Sequence, residues 1–258
     1  MSLPAEWKPR HLHDLIRLGN PHDGGYVVPE RALARSEALI SFGISDDWSF
    51  EEDFCRRVPR ARVVGYDPTV NRNFWLKRIA SHAGAFIFRG EAERAPRVFD
   101  WLRYRQFFDG KLHEHRKIRI GYDGDRSASV DTVLRSIGEA HVFMKIDIEG
   151  GEYRVLDQIA THARRLTGLV IELHDIDLMR ERITRFLRTV EHDLVLCHLH
   201  ANNCAGVDDH GDPLAIELSL VSRALVDADE ASDFELLPGT FDAPNDAHSP
   251  EIRIRFED

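Results

Sequence analysis

Three carboxylic acids lie in one short turn of the sequence, directly after an apolar run. Residues 142–153 read VFMKIDIEGGEY, in which Asp147, Glu149 and Glu152 follow a run that only Lys145 interrupts. Such a run predicts a buried strand, and open α/β sheets bind their ligands at the carboxyl ends of parallel strands. Acids at that place can act as general bases or as ligands of a hard divalent cation. The alternative is that they cap the next helix, but a cap needs one acid and this turn has three.

A glycine turn and an aspartate earlier in the chain indicate a ribose-bearing ligand. Ala38–Phe42 is predicted to be a buried strand that ends at Gly43, and a helix is predicted over Ser49–Arg57. A strand, a glycine turn and a helix in this order bring backbone N–H groups to a nucleotide. The next predicted strand, Arg62–Tyr66, ends at Asp67, close to the roughly 20-residue offset at which an acid meets ribose hydroxyls. The two signals together are more specific than either one alone.

Histidines lie at the ends of two later predicted strands. His174 follows a strand over 169–173, and a strand over 193–200 contains His198 and His200. His200 lies nearer the strand end and is the candidate of the two, although a histidine held by backbone groups is an equally good interpretation. Candidate ligands for a divalent cation are Asp147, Glu149 and His174. Their spacing matches no zinc signature, so the sequence leaves metal dependence open.

Strands and helices alternate along most of the chain. Other predicted strands cover 85–88, with Glu91 in the turn after it, 215–222, and an edge strand over 251–256. Helices are predicted over 73–82, 131–137, 153–163 and 179–190. The alternation predicts an α/β fold, a Rossmann-like doubly wound sheet of about seven strands with helices on both faces.

The predicted organisation is one main domain with additions. Residues 1–37 form an N-terminal extension with a Gly-rich loop, and residues 38–258 form the main domain. Within it, residues 98–129 are interpreted as an insertion or a cover over the substrate. Aromatic residues at helical spacing in this section, Trp101 to Phe108, are typical of a packing face, but they could also stack on a sugar or another ring.

The composition argues against several kinds of partner. The 258 residues carry a net charge of -10, which disfavours binding to nucleic acid or to an anionic membrane surface. Three widely spaced cysteines form neither a disulfide framework nor a zinc ribbon. No segment approaches the roughly 20 apolar residues of a membrane span, and no signal-peptide core is present. We therefore expect a cytoplasmic protein; its oligomeric state is left open, a homodimer included.

Together these motifs resemble the FkbM-type family of class I S-adenosylmethionine-dependent methyltransferases. The resemblance is carried by ISFGISDD, VVGYDPT, MKIDIEGGEYRVL, IELHD and HLHANN, and by NPHDGGYVVP and DAPND near the two ends. It implies a seven-stranded sheet with an antiparallel seventh strand, and S-adenosylmethionine bound across the first two strand ends. The expected cofactor-binding residues are Gly43, Ser45, Asp46, Asp67, Pro68, Glu91 and Asp147.

The resemblance also implies a reaction, methylation of oxygen on a sugar, a glycan or a natural product. In-line transfer to a hydroxyl needs alignment and a group that removes the proton. Asp147 and Glu149 are assigned this task, directly or through a cation, and His174 or His200 would assist. Two alternatives are a nicotinamide-dependent oxidoreductase on a similar sheet, whose GxGxxG turn is missing after Gly43, and a non-catalytic nucleoside-binding module.

Overall fold

A computed structural model of the protein describes residues 2–89, 96–227 and 237–257. The strands are β1 Leu15–Leu18, β2 Tyr26–Pro29, β3 Ala38–Phe42, β4 Arg62–Tyr66, β5 His113–Arg116, β6 Arg119–Ile120, β7 Ser127–Ala128, β8 Val142–Ile146, β9 Leu166–Leu173, β10 Leu194–Ala201 and β11 Ile216–Ser222. The α-helices are α1 Glu30–Arg35, α2 Ser49–Arg57, α3 Arg72–Arg89, α4 Asp100–Phe107, α5 Val130–Ile137, α6 Leu156–Thr161 and α7 Ile176–Val190. Among these residues, no helix is both long enough and apolar enough to cross a lipid bilayer.

The main sheet has seven strands in the order β10-β11-β9-β8-β3-β4-β5. Strand β11, the last in sequence, runs antiparallel to both of its neighbours, whereas the strands from β9 to β5 pair in parallel. The chain builds outward from β3 to β5 on one side and from β8 onward on the other. The order therefore reverses between β3 and β8, which is where such sheets bind ligands. The predicted doubly wound sheet with an antiparallel last strand is confirmed.

Two apolar cores cover the two faces of this sheet. Ile40 and Met144 belong to one core, which also contains residues of α5, α6 and α7. Their strand neighbours Leu39 and Phe143 belong to the other, together with residues of α1, α2 and the β1–β2 hairpin. Since successive side chains of a strand point to opposite faces, strands buried on both sides need continuous apolar runs. The runs in β3 and β8 have this property, and every residue of both strands is buried.

Three sequence predictions of secondary structure are wrong. Residues 85–88 are part of α3, and the third strand of the sheet is β5, whose sequence HEHR has no apolar run. The helix predicted over 153–163 is broken into a 3-10 turn at Glu152–Arg154 and the short helix α6. The edge strand predicted over 251–256 is a single parallel bridge between Leu3 and Phe256. Strand β5 lies inside the section 98–129; the domain boundaries themselves stay predictions.

Candidate active site

The turns after β3 and β8 touch each other at Gly43. This glycine has φ +85, and a Cβ atom at its position would lie 1.7 Å from the carbonyl oxygen of Asp147. The Gly43 N–H donates to the carbonyl of Tyr66 at 3.0 Å, and the Asp147 N–H donates to the carbonyl of Phe42 at 2.8 Å. The close approach and the left-handed backbone both require glycine.

Asp67, at the end of β4, holds the glycine turn from the other side. Its Oδ2 accepts the N–H groups of Ile44 at 3.1 Å and Ser45 at 3.0 Å. Its Oδ1 accepts the N–H of Thr69 at 2.7 Å and the hydroxyl at 2.6 Å. Burial acts to raise the pKa of Asp67, but these hydrogen bonds outweigh burial and lower the pKa. The carboxylate thus stays ionised and fixes the turn; its contact with a ribose stays a prediction.

A cavity of about 480 Å³ lies between these strand ends. The predicted site residues that line it are Gly43, Ser45, Asp46, Asp67, Pro68, Asp147 and Glu149. His174 and His200 do not line it, and Glu91 lies outside the described residues. The structure therefore brings together the predicted site residues that follow strands β3, β4 and β8, as the meeting of parallel strand ends requires.

The buried Lys145 is a lining residue to which the sequence analysis gave no role. It is the one charged residue of β8, and an isolated lysine in an apolar run was the available signal. Its Nζ donates to the Gly43 carbonyl at 3.2 Å and lies 3.7 Å from Oε1 of Glu51. Burial acts to lower the pKa of Lys145, but the carboxylates of Glu51 and Asp147 outweigh it and raise the pKa. A positive charge is thus fixed beside Asp147.

The β1–β2 hairpin supplies a second group that the sequence analysis missed, the hydroxyl of Tyr26. It lies 3.3 Å from Oδ2 of Asp147 and 3.4 Å from Oε2 of Glu172. The Asn202 amide donates to the other oxygen of Glu172 at 2.7 Å. Burial raises the pKa of Asp147 and of Glu172. A hydroxyl has one proton to donate, so Tyr26 can serve only one of these two carboxyl groups as a donor at a time.

His174 lies next to the acids of the β8 turn. Its Nδ1 is 3.4 Å from Oε1 of Glu152, and its Nε2 is 3.7 Å from Glu149 and 3.6 Å from Glu172. The Glu152 carboxylate, with those of Glu172 and Asp147, raises the pKa of His174 to about 9. The imidazole is therefore positively charged at neutral pH. Over residues 2–89, 96–227 and 237–257, no three His, Cys, Asp or Glu side chains form a group that could hold a metal ion.

His200 is buried away from the cavity, between two carboxylates. Its Nδ1 lies 3.1 Å from Glu217 and its Nε2 lies 2.6 Å from Glu251. Burial acts to lower the pKa of His200, but the hydrogen bonds to these carboxylates outweigh it and raise the pKa to about 10. His198 pairs in a similar way with Asp242, at 3.1 Å. Both histidines of β10 thus hold the C-terminal segment against the sheet.

The lining of the cavity is predominantly acidic. Its carboxylates are Asp23, Asp46, Asp47, Asp67, Asp147 and Glu149, and its cations are Arg119, Lys145 and Arg154. Asp47 also accepts the N–H of Ser49 at the start of α2, and the first turn of this helix contains Glu51 and Glu52. The helix N-terminus, which attracts anions, is therefore already surrounded by carboxylates of the protein. This arrangement favours a positively charged ligand.

Backbone strain is concentrated at the same edge of the sheet. Ser45, Glu149 and Asp175 follow β3, β8 and β9, and they have φ values of 49, 52 and 52. Left-handed backbone costs an L-residue about 1–2 kcal/mol, and such strain often accumulates at functional sites. The position of these three strained residues supports a functional role for the edge of the sheet at which β3, β8 and β9 end.

No family model matches the sequence, and no curated protein matches it. One similar solved structure is a precorrin-6y C5,15-methyltransferase from Geobacter metallireducens, with 11% identity, a TM-score of 0.38, and coverage of 74% of this chain and 86% of that chain. A fibrillarin pre-rRNA processing protein from Methanococcus jannaschii has 10% identity, a TM-score of 0.37 and coverage of 81% and 83%. An O-methyltransferase family protein from Burkholderia thailandensis has 11% identity, a TM-score of 0.35 and coverage of 74% and 52%. The order and directions of the strands, rather than these distant likenesses, define the fold.

Proposed function

We propose that this protein is an S-adenosylmethionine-dependent methyltransferase that methylates a hydroxyl group of a small-molecule or carbohydrate acceptor. The observation that carries the proposal is one cavity that extends from Gly43 and Asp67 to Asp147. A methyl donor held by the first two strand ends would lie beside a carboxylate able to receive a proton. The volume of the cavity, about 480 Å³, is within the usual range of about 300–1,000 Å³ for ligand sites. The resemblance to the FkbM-type family is consistent with this proposal.

The charge of the cavity supports this cofactor over a nicotinamide dinucleotide. S-adenosylmethionine has a sulfonium, an ammonium and a carboxylate group, so its net charge is positive, whereas a nicotinamide dinucleotide has a diphosphate and is an anion. Diphosphates bind at helix N-termini through free backbone N–H groups. At the start of α2, the N–H of Ser49 is already bonded to Asp47 at 2.9 Å. A diphosphate would also meet the carboxylates of Asp46 and Asp47 in the lining.

In the proposed mechanism, Asp147 acts as the general base. S-adenosylmethionine, when bound beside Gly43 and Asp67, would supply an electrophilic methyl group; its sulfur–carbon bond would break and S-adenosylhomocysteine would be the leaving group. Asp147 accepts the proton of the acceptor hydroxyl as the new oxygen–carbon bond forms, and burial, which raises the pKa of Asp147, makes it a stronger base. The Tyr26 hydroxyl orients the carboxyl group of Asp147, and Lys145 donates a hydrogen bond that fixes the neighbouring Gly43 carbonyl. Glu149, which lines the cavity, is assigned to orienting the acceptor, and His174, whose Nε2 lies 3.7 Å from the Glu149 carboxylate, acts through Glu149.

Calorimetric titration of the purified protein tests the cofactor. We expect S-adenosylhomocysteine to bind and NADH to give no saturable heat. Asp67→Asn should weaken S-adenosylhomocysteine binding about tenfold or more, because it removes a charged acceptor from the glycine turn. The matched control is Asp209→Asn at an exposed position, which should bind like the wild type.

Three results would count against the proposal. A folded wild-type protein that binds neither S-adenosylmethionine nor S-adenosylhomocysteine contradicts the cofactor assignment, and tight NADH binding would favour the oxidoreductase alternative. Binding without methyl transfer to any of a panel of hydroxylated sugars and natural products would favour a non-catalytic nucleoside-binding module.

A further inference from the structure

A second cavity, of about 650 Å³, lies between helices α3 and α4. It borders the loop after β4, in which Pro68 and Thr69 line the first cavity and Val70 and Asn71 line the second. Among the described residues, none lines both cavities. The second cavity is therefore a separate site, for which the proposed methyl transfer provides no use.

Two helix faces form the walls of this second cavity. The α3 residues that line it are Arg72, Trp75, Leu76 and Ile79. The lining residues of α4 and its C-cap are Trp101, Tyr104, Arg105 and Phe108. Both sets have the spacing i, i+3, i+4, i+7, which places them on one face of a helix. Leu76 is 55% exposed, so the cavity is open to solvent and a ligand can enter it.

Aromatic rings make up much of the lining. Trp75 is only 5% exposed, and its ring centroid lies 5.1 Å from that of Tyr104, which in turn lies 5.1 Å from Phe108. The indole Nε1–H of Trp75 is buried and has no hydrogen-bond acceptor among the described residues. Since this atom is not accessible, the faces of the aromatic rings, rather than the indole N–H, are the surface that the cavity offers to a ligand.

The charge of this cavity is opposite to that of the first. Arg72, Arg105 and Lys117 line it, and none of the lining residues in the described part of the chain is acidic. All three cationic side chains belong to exposed residues, so they are accessible to a ligand. The Arg105 guanidinium lies 5.2 Å from the ring centroid of Trp101, which places a cation next to an aromatic surface. The cationic lining of this cavity contrasts with the net charge of -10 of the whole chain.

We propose that the second cavity binds a ring-bearing anion, that is, a sugar or aromatic ring with a phosphate or carboxylate group. The ring stacks on the aromatic residues, and the anionic group is held by Arg72, Arg105 and Lys117. Because the two cavities share no lining residue, the assignment holds whether or not the protein transfers methyl groups.

Calorimetric titration with small probes tests this site. Phenyl phosphate has both the ring and the anion, inorganic phosphate has the anion alone, and phenol has the ring alone. We expect phenyl phosphate to bind about tenfold or more tightly than either fragment. Glucose 1-phosphate and benzoate, titrated in the same way, distinguish a sugar from an aromatic ring and a phosphate from a carboxylate.

Two variants locate the binding. Arg105→Gln with Lys117→Gln should weaken phenyl phosphate binding about tenfold or more, because two charged donors are lost. Arg103→Gln is the matched control on the same helix: Arg103 does not line the cavity, and its guanidinium lies over Trp48 instead. It should bind phenyl phosphate like the wild type.

Three results would overturn the proposal: no saturable binding of phenyl phosphate, equal affinity in the double variant and the wild type, or displacement of phenyl phosphate by S-adenosylhomocysteine. The last result would place the probe in the first cavity. If S-adenosylhomocysteine does not bind at all, the proposed cofactor fails, but the comparison of variants still decides whether the second cavity is a ligand site.

Discussion

Asp147→Asn is expected to lower the rate of methyl transfer about 100- to 10,000-fold, the usual contribution of a general base. Asparagine keeps the shape of the side chain and can still accept the hydrogen bond from Tyr26, whose hydroxyl lies 3.3 Å from Asp147. It cannot receive the proton of the acceptor. The measurement is the initial rate of transfer of a tritiated methyl group from S-adenosylmethionine to a hydroxylated acceptor found by screening. The affinity for S-adenosylhomocysteine should change less than about threefold.

The control for this variant is Asp157→Asn on helix α6, where the side chain is 82% exposed. It removes the same charge outside the cavity lining and should leave the rate unchanged. Methyl transfer at a normal rate by the Asp147→Asn protein would show that Asp147 is not the base and would leave it only its contact with Tyr26.

Gly43→Ala is expected to abolish binding of S-adenosylhomocysteine and to lower the free energy of unfolding by about 2–5 kcal/mol. Alanine is strained at φ +85, and its Cβ would lie 1.7 Å from the Asp147 carbonyl oxygen. The obstacle is backbone, so no side-chain rotation relieves it. The turns after β3 and β8 must then separate, which changes the cavity between them. Urea denaturation and calorimetric titration measure the two effects.

Gly138→Ala is the control that tests the effect of backbone strain without a steric clash. Gly138 has φ +84, almost the same as Gly43, but a Cβ added there would meet no atom of the described residues within 4 Å. This control should lose only about 1–2 kcal/mol of stability and should bind S-adenosylhomocysteine normally. Equal behaviour of the two variants would mean that the contact between the turns does not shape the site.

Local sequence signals were sufficient to predict the bounds of the elements at the centre of the sheet. Strands β3 and β4 and helix α2 have the predicted bounds residue for residue, because apolar runs end there at glycine, aspartate or proline. Strand β5 was not predicted because its four residues, HEHR, are half-buried in the structure and include no apolar residue that would signal a strand. Its position depends on pairing with β4, from Val63 opposite His113 to Tyr66 opposite Arg116, and no local pattern encodes this.

The candidate site could be predicted only in part for the same reason. Gly43, Asp67 and Asp147 meet because parallel strand ends share an edge of the sheet. The contact of Tyr26 with Asp147 depends on how the N-terminal hairpin packs on the sheet, which its own sequence does not specify. His200 was placed at the strand ends from its position alone. Its partners Glu217 and Glu251, which hold it away from the cavity, come from β11 and the C-terminal segment.

The most direct measurement is a crystal structure of the protein with S-adenosylhomocysteine. We predict that the nucleoside lies at the end of β4 beside Asp67 and Pro68, and that the sulfur atom points toward Asp147 within the same cavity. A ligand bound elsewhere, or one whose sulfur atom points away from Asp147, would contradict the proposal that cofactor and acceptor meet at the end of β8.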